Sequence, residues 1–267
     1  MRRCLGGITT ALSAVAACTS PSQLTAPDAP GSDVAPIATK EMYAWNGSAM
    51  ICSQALDDLE GVTRDWALEQ ASFAAAQQRG TVTIAHVHQP GVTVSTDAIE
   101  RVLDWADQYH LDYVTFDELS PDQPHRAGLA FAFDDDDVSG WMSVRDILLA
   151  HRARVTFFVT RWQDLSAADR ANLATLAGDG HDIEAHSVTH QDATAQVASL
   201  GLAGYISAEV VPSYQVLVDA GFHPTSYAYP FGDHDPAIDA AVLAVPGIVR
   251  VRTTGGGCDG SSSGGAE

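Results

Sequence analysis

The strongest constraint on this chain is an alternation of short β-rich runs with helical patterns across most of its length. Strand patterns cover 81–88, 112–116, 128–133, 154–160, 182–185, 225–229 and 248–252. Helical patterns cover 65–78, 96–109, 143–151, 167–177, 206–220 and 236–244. Strands joined through helices need crossover connections, so the alternation predicts an α/β fold with a parallel sheet. The expected architecture is a distorted (β/α) barrel of about seven parallel strands, with an open doubly wound sheet as the alternative. In either case the functional residues belong at the carboxyl ends of the strands.

Charge removes one class of partner. The 267 residues carry 14 Lys and Arg against 34 Asp and Glu, a formal net charge of −20. Nucleic acid rewards the opposite sign, so it is excluded as a ligand. The N-terminus reads as a targeting signal: Met1-Arg2-Arg3 precedes an uncharged run, 5–17, too short to span a bilayer. That run ends Val15-Ala16-Ala17-Cys18, which resembles a bacterial lipobox. The expected organisation is a lipoprotein signal peptide over 1–17 and a lipid anchor at Cys18 with a Pro/Ala/Ser-rich tether over 18–40. A catalytic domain over 41–254 and a Gly/Ser-rich tail over 255–267 follow. The protein is thus expected in a bacterial cell envelope, held to a membrane through Cys18. Cys52 and Cys258 remain in the exported chain, either as a disulfide or as two thiols.

Two clusters carry chemistry. Asp134-Asp135-Asp136-Asp137 follows the strand pattern 128–133. Four adjacent carboxylates repel one another, and a cation would relieve that repulsion. His186 and His190, four apart, follow the strand pattern 182–185 and can converge on a borderline metal through neutral imidazole. Ser187 stands where the zinc-peptidase motif has Glu, so that motif is absent. A His-His-Asp set fits Zn²⁺, Fe²⁺, Co²⁺ or Ni²⁺ better than Mg²⁺ or Ca²⁺.

The ordered segments resemble the polysaccharide deacetylases of carbohydrate esterase family four, the NodB-homology family, over roughly residues 81–254. Phe133-Asp134-Asp135, His186-Ser187-Val188-Thr189-His190 and Tyr229-Pro230-Phe231-Gly232 resemble its first three motifs, and Thr156-Phe157-Phe158-Val159 and Gly180-His181-Asp182-Ile183-Glu184 support them. The resemblance implies a hydrolase that removes N-acetyl groups from a glycan using a divalent metal, with Zn²⁺ first. It implies Asp134 as general base, Asp135, His186 and His190 as metal ligands, and the Phe231 backbone N–H as oxyanion donor. The family's acid is a histidine in a Leu-x-His motif; Thr83-Ile84-Ala85-His86 resembles it but precedes the first motif, as in circularly permuted members. His86 is therefore the candidate acid, with His88, on the same side of the strand, in reserve. Asp136 replaces the usual Gly, and Ala228 stands where an Arg that tunes the base is common. Those departures keep open a metal- or glycan-binding lipoprotein with a degenerate site, and an O-acetyl esterase on a plant-type polysaccharide is the sister reading.

Overall fold

A computed structural model describes residues 42–59, 61–120, 126–255 and 258. All of them belong to one compact unit. The signal, lipid and tether expectations fall outside the described residues, as does most of the tail.

In chain order the strands are β1 (Tyr43–Ala44), β2 (Met50–Ala55), β3 (Val82–Val87), β4 (Asp112–Tyr113), β5 (Gly128–Asp135), β6 (Thr156–Val159), β7 (Asp182–Ala185), β8 (Ser226–Ala228) and β9 (Arg250–Thr254). Around them pack α1 (Trp66–Arg79), α2 (Thr96–Gln108), α3 (Val138–Ser143), α4 (Arg145–Ala150), α5 (Ala167–Gly178), α6 (Ala193–Leu200), α7 (Leu202–Tyr205), α8 (Val211–Asp219) and α9 (Pro236–Leu243). Seven parallel strands close on themselves in the order β3-β2-β9-β8-β7-β6-β5 and back to β3. The (β/α) barrel expected from the alternation is therefore the fold, and the open sheet is not.

The seven barrel strands are not the seven read from sequence. The 112–116 pattern yields only β4, a two-residue strand beside the start of β5, followed by a 3₁₀ turn at Phe116–Glu118. The ring is completed instead by β2, whose sequence Met-Ile-Cys-Ser-Gln-Ala has one β-branched residue and little strand signal. β2 pairs in parallel with both β3 and β9, so the first and last barrel strands meet at a seam. Cys52 and Cys258 form a disulfide across that seam, with Cα atoms 5.6 Å apart.

Alternation along the strands sorts the side chains into two layers. Ala85, Val87, Phe131, Phe133, Phe157, Ile183, Ala185, Tyr227 and Val251 face the helices and form the larger hydrophobic cluster. Ile51, Ile84, Ala130, Ala132, Phe158 and Ala228 belong to a smaller cluster on the opposite face of the strands. Ser53, His86, Asp134, Glu184, His186, Arg250 and Arg252 share that face by the period of two, and all are buried. Buried polar groups at this density need partners, and those partnerships define the site.

Helix boundaries follow their caps. Asp65 and Ser95 cap α1 and α2 through bonds to Leu68 N and Ala98 N, and Gly80 ends α1 at φ 63°. The 143–151 pattern corresponds to α4 (Arg145–Ala150); α3, rich in Ser and Gly with low helix propensity, was not legible. The 206–220 pattern begins with one π-helical stretch, Ile206–Val210, before α8. α6 and α7 were also unread.

Candidate active site

A cavity of about 450 Å³ is lined by Asp57, His86, His88, Asp134, Asp135, His186, His190, Phe231 and Arg252, among others. Each lies on, or just beyond, the carboxyl half of a barrel strand. All six residues singled out from sequence are thus brought to one place, together with the reserve histidine.

The acidic run divides its labour. Asp134 is buried inside the barrel, 1% exposed. Strict alternation would send Asp135 outward, but its φ of 91° breaks the pattern and it lines the cavity. Asp136 instead pairs with Arg161 at 3.2 Å, and Asp137 caps α3 through Gly140 N. Four of the seven non-glycine residues with positive φ among the described residues, Asp135, Ser187, His190 and Phe231, lie in the site segments. Such backbone costs on the order of 1–3 kcal/mol per residue and persists only where surrounding structure enforces it.

For the 186–190 segment the enforcing structure is visible. Glu209, in the π-helical stretch, accepts from Val188 N (3.0 Å), Thr189 N (2.9 Å) and Thr189 Oγ1 (2.7 Å). Ser187 Oγ accepts from His190 N at 3.0 Å. For Phe231 the following Gly232 is decisive: at φ 75°, a Cβ there would lie 2.6 Å from the Thr254 side chain and 2.9 Å from its backbone nitrogen.

Asp135, His186 and His190 converge. Asp135 Oδ1 lies 3.0 Å from His190 Nε2 and 3.7 Å from His186 Nε2, yet makes no aligned hydrogen bond. His186 Nδ1 donates to the Ala228 carbonyl at 2.9 Å. Burial, reinforced by His190, keeps His186 neutral, so its Nε2 carries a lone pair. Burial favours a neutral Asp135, but His190, His186 and His88 together outweigh it and hold the carboxyl below its usual range. Two imidazoles and a carboxylate with ligand atoms within 4.8 Å of one another, one imidazole oriented by a backbone carbonyl, fit a borderline divalent metal.

Asp134 has a different environment. Burial pushes its pKa up to about 6, while Arg252 and His88 pull against that rise. Arg252 Nη2 donates to Asp134 Oδ2, both side chains being 2% exposed. The guanidinium also lies over the Phe158 ring, 5.1 Å from its centroid. Arg252 is the register partner of Ala228 on the neighbouring strand. The positive charge missing at position 228 is therefore present beside Asp134, from β9.

The two histidines of β3 differ in charge. His86 is fully buried and bonds Ser53 Oγ through Nδ1 at 2.8 Å; burial, with the Arg252 charge, keeps it neutral. Burial opposes the charge on His88, but Asp57 outweighs it and raises the pKa to about 10. Asp57 Oδ2 accepts from His88 Nδ1 at 2.7 Å, and Oδ1 accepts from His88 N and Thr93 Oγ1. Ser53, Asp57, Arg252 and Glu209 were not singled out from sequence. The first two depend on the unread β2; Arg252 ended a strand pattern with no motif around it.

Other residues near the rim are accounted for structurally. His234 stacks on Tyr229 and bonds Asp239, and Asp235 caps α9. Trp66 packs against Trp105.

Residues 122–245 match the family described as polysaccharide deacetylase. The likeness to polysaccharide deacetylases is thus shown for that segment. Among solved structures, the chitin deacetylase from the fungal pathogen Colletotrichum lindemuthianum is 22% identical over 46% of this chain and 53% of that one, with a TM-score of 0.40. IcaB from Ammonifex degensii is 16% identical over 77% and 84%, TM-score 0.48. The BpsB deacetylase domain from Bordetella bronchiseptica is 13% identical over 78% and 97%, TM-score 0.48. The chain spans about half the length of the first of these. No curated protein matches it. The matched deacetylase segment contains Asp134, Asp135, His186, His190 and Phe231; Ser53, Asp57, His86, His88 and Arg252 lie outside it.

Proposed function

We propose that this chain is a metal-dependent hydrolase that removes N-acetyl groups from a polysaccharide. The observation that carries the reading is the convergence of Asp135, His186 and His190 beside a buried Asp134 in one cavity. Asp135, His186 and His190 would hold the ion, Zn²⁺ first, with Fe²⁺, Co²⁺ or Ni²⁺ compatible with the donor set. A divalent ion supplies a lowered pKa for water and polarisation of the acetyl carbonyl. Asp134 takes the proton of the attacking water. A base with a pKa near 6 is ionised at neutral pH and close to the working pH. Arg252 occupies Oδ2, leaving Oδ1, which has no hydrogen-bond partner, for the incoming proton. The Phe231 N–H stabilises the oxyanion.

The departing amine needs a proton. Of the two sequence candidates, the charge states support His88 as its source, with neutral His86 beside it. The early position of β3 relative to the Asp134 strand supports a circularly permuted order. An exported lipoprotein anchored at Cys18 and acting on an envelope glycan completes the reading.

Arg252 removes the main ground for a degenerate binding protein, since a guanidinium does face the base. The test is acetate release from N-acetylglucosamine oligomers by the chain from Lys40 onward. Release should require Zn²⁺ or a similar ion, cease with chelator, and fall about 10²–10⁴-fold in Asp134→Asn. Turnover that persists in chelator and in Asp134→Asn would defeat the proposal. If release is faster from O-acetylated glycans and indifferent to His88→Gln, the esterase reading replaces it, because an alcohol leaves with less need of an acid.

A further inference from the structure

We propose that His86, His88 and Asp134 form a second divalent-cation site, beside the first and weaker than it. One ring nitrogen from each histidine and one Asp134 carboxylate oxygen lie within 4.8 Å of one another. This is the same closeness that marks Asp135, His186 and His190. Closeness alone is common; what sets these three side chains apart is how they are held.

Each has one polar atom fixed by an outer partner. His86 Nδ1 bonds Ser53 Oγ at 2.8 Å. His88 Nδ1 bonds Asp57 Oδ2 at 2.7 Å, and Asp57 is itself held by Thr93 Oγ1 at 2.6 Å. Asp134 Oδ2 accepts from Arg252. Metal-binding histidines characteristically use their second nitrogen in this way, bonded to a carboxylate or another acceptor that sets tautomer and ring orientation. His186, with its Nδ1 on the Ala228 carbonyl, shows the same arrangement in the first group.

The remaining atoms want a partner. His86 Nε2 and Asp134 Oδ1 are buried and make no hydrogen bond, although both residues are at most 1% exposed and line the cavity. A buried polar atom left in that state costs on the order of 1–3 kcal/mol. A cation satisfies both at once. Two imidazole nitrogens and one carboxylate oxygen suit Zn²⁺, Co²⁺ or Ni²⁺, and the ion takes the place of the second ring proton of His88, which is released to solvent.

Charge makes this the weaker site. The Arg252 guanidinium already neutralises Asp134, and an ion held by Asp135 would repel a second one beside it. Asp57 offsets part of that repulsion through His88. If the proposed deacetylase mechanism holds, an ion here occupies both the base and the proton donor, so excess metal inhibits. The site itself does not depend on that mechanism.

The experiment is equilibrium dialysis of the full chain against rising free Zn²⁺, with bound metal measured by elemental analysis. Wild type should reach two ions per chain, the second at least ~10-fold weaker. His88→Gln should reach one. Asp57→Asn, which leaves every proposed ligand in place, should weaken the second ion about 10–100-fold and leave the first unchanged. The double variant Asp135→Ala/His190→Ala should also reach one, and that ion should be lost when His88→Gln is added. A wild-type plateau of one, abolished by Asp135→Ala/His190→Ala, would overturn the second site and leave the first. A second ion indifferent to both His88→Gln and Asp57→Asn would overturn it as adventitious surface binding. A single ion that survives Asp135→Ala/His190→Ala but not His88→Gln would uphold this site and defeat the first.

Discussion

The segment 122–245 and the segments flanking it build the cavity by different means. The inner segment supplies Asp135, His186 and His190, whose geometry is set locally. Asp135 is turned by its own backbone, and the 186–190 segment is held by Glu209 some twenty residues away. The flanks supply Ser53, Asp57, His86, His88 and Arg252, and the contacts that hold them join residues far apart in sequence. Ser53 to His86 spans 33 residues, Asp57 to His88 31, and Arg252 to Asp134 118. The metal ligands and Asp134 are thus written in short motifs, whereas the histidines and the arginine that face them are positioned only once β2 and β9 have closed the seam. Disturbing the seam should therefore damage the latter set first.

The largest effect is expected from the disulfide. Cys52, on β2, and Cys258, beyond the end of β9, are 206 residues apart, so opening the bond restores the entropy of a long loop to the unfolded chain. That is worth on the order of 5 kcal/mol on the chain-entropy account. Cys52→Ser/Cys258→Ser should lower the unfolding free energy by that order in urea titrations. Equal stability of the variant would mean that strand pairing alone holds the seam. Next comes Arg252→Ala, which strands a buried carboxylate and should cost about 3–5 kcal/mol. Adding Asp134→Asn to it should recover part of the loss, since the orphaned charge is then gone. No recovery would show that packing over Phe158, and not the ion pair, is what Arg252 provides.

A smaller effect belongs to the inner segment. Glu209→Ala removes the acceptor of three bonds and should cost about 3 kcal/mol. It should also weaken the ion bound by His186 and His190, read by competition with a chromogenic chelator. Asp57→Asn should leave that affinity unchanged. If both substitutions weaken it equally, the two halves of the cavity are not separable and the comparison fails.

The same division explains what was legible in the sequence. The barrel followed from alternating strands and helices, Asp134, Asp135, His186 and His190 from residue types at close spacing, and Phe231 from the family resemblance alone. β2 escaped because Met, Cys, Ser, Gln and Ala carry little strand preference, and its place is fixed by β3 and β9 on either side. Asp57 escaped with it. Arg252 escaped for another reason: an arginine ending a strand pattern is ordinary, and only the register Ala228↔Arg252 shows that it stands across from the position where a charge was missed. The π-helical stretch that delivers Glu209 reads in sequence as the start of an ordinary helix.

The smallest effect belongs to the pairing of Asp57 with His88 on the flank. In the metal-free protein the Asp57 partnership raises His88 from 6.5 to about 10. A raised base stabilises the fold fully below its unfolded pKa, and the contribution disappears as pH rises through the folded one. The window therefore runs from about pH 6.5 to 10. Asp134, raised from 3.8 to about 6, contributes in the same direction but at lower pH, its share being lost as pH climbs through 6. The two windows do not overlap, so urea titrations at pH 6.5, 8 and 10 read His88 apart from Asp134. Wild type should lose about 2 kcal/mol across that range, the size of a charge-assisted hydrogen bond. Asp57→Asn should be less stable at pH 6.5 by a similar amount and nearly flat thereafter, the two curves meeting toward pH 10. Parallel curves would mean that Asp57 holds the segment through Thr93 and the His88 backbone N–H alone, and that the charge on His88 owes nothing to it.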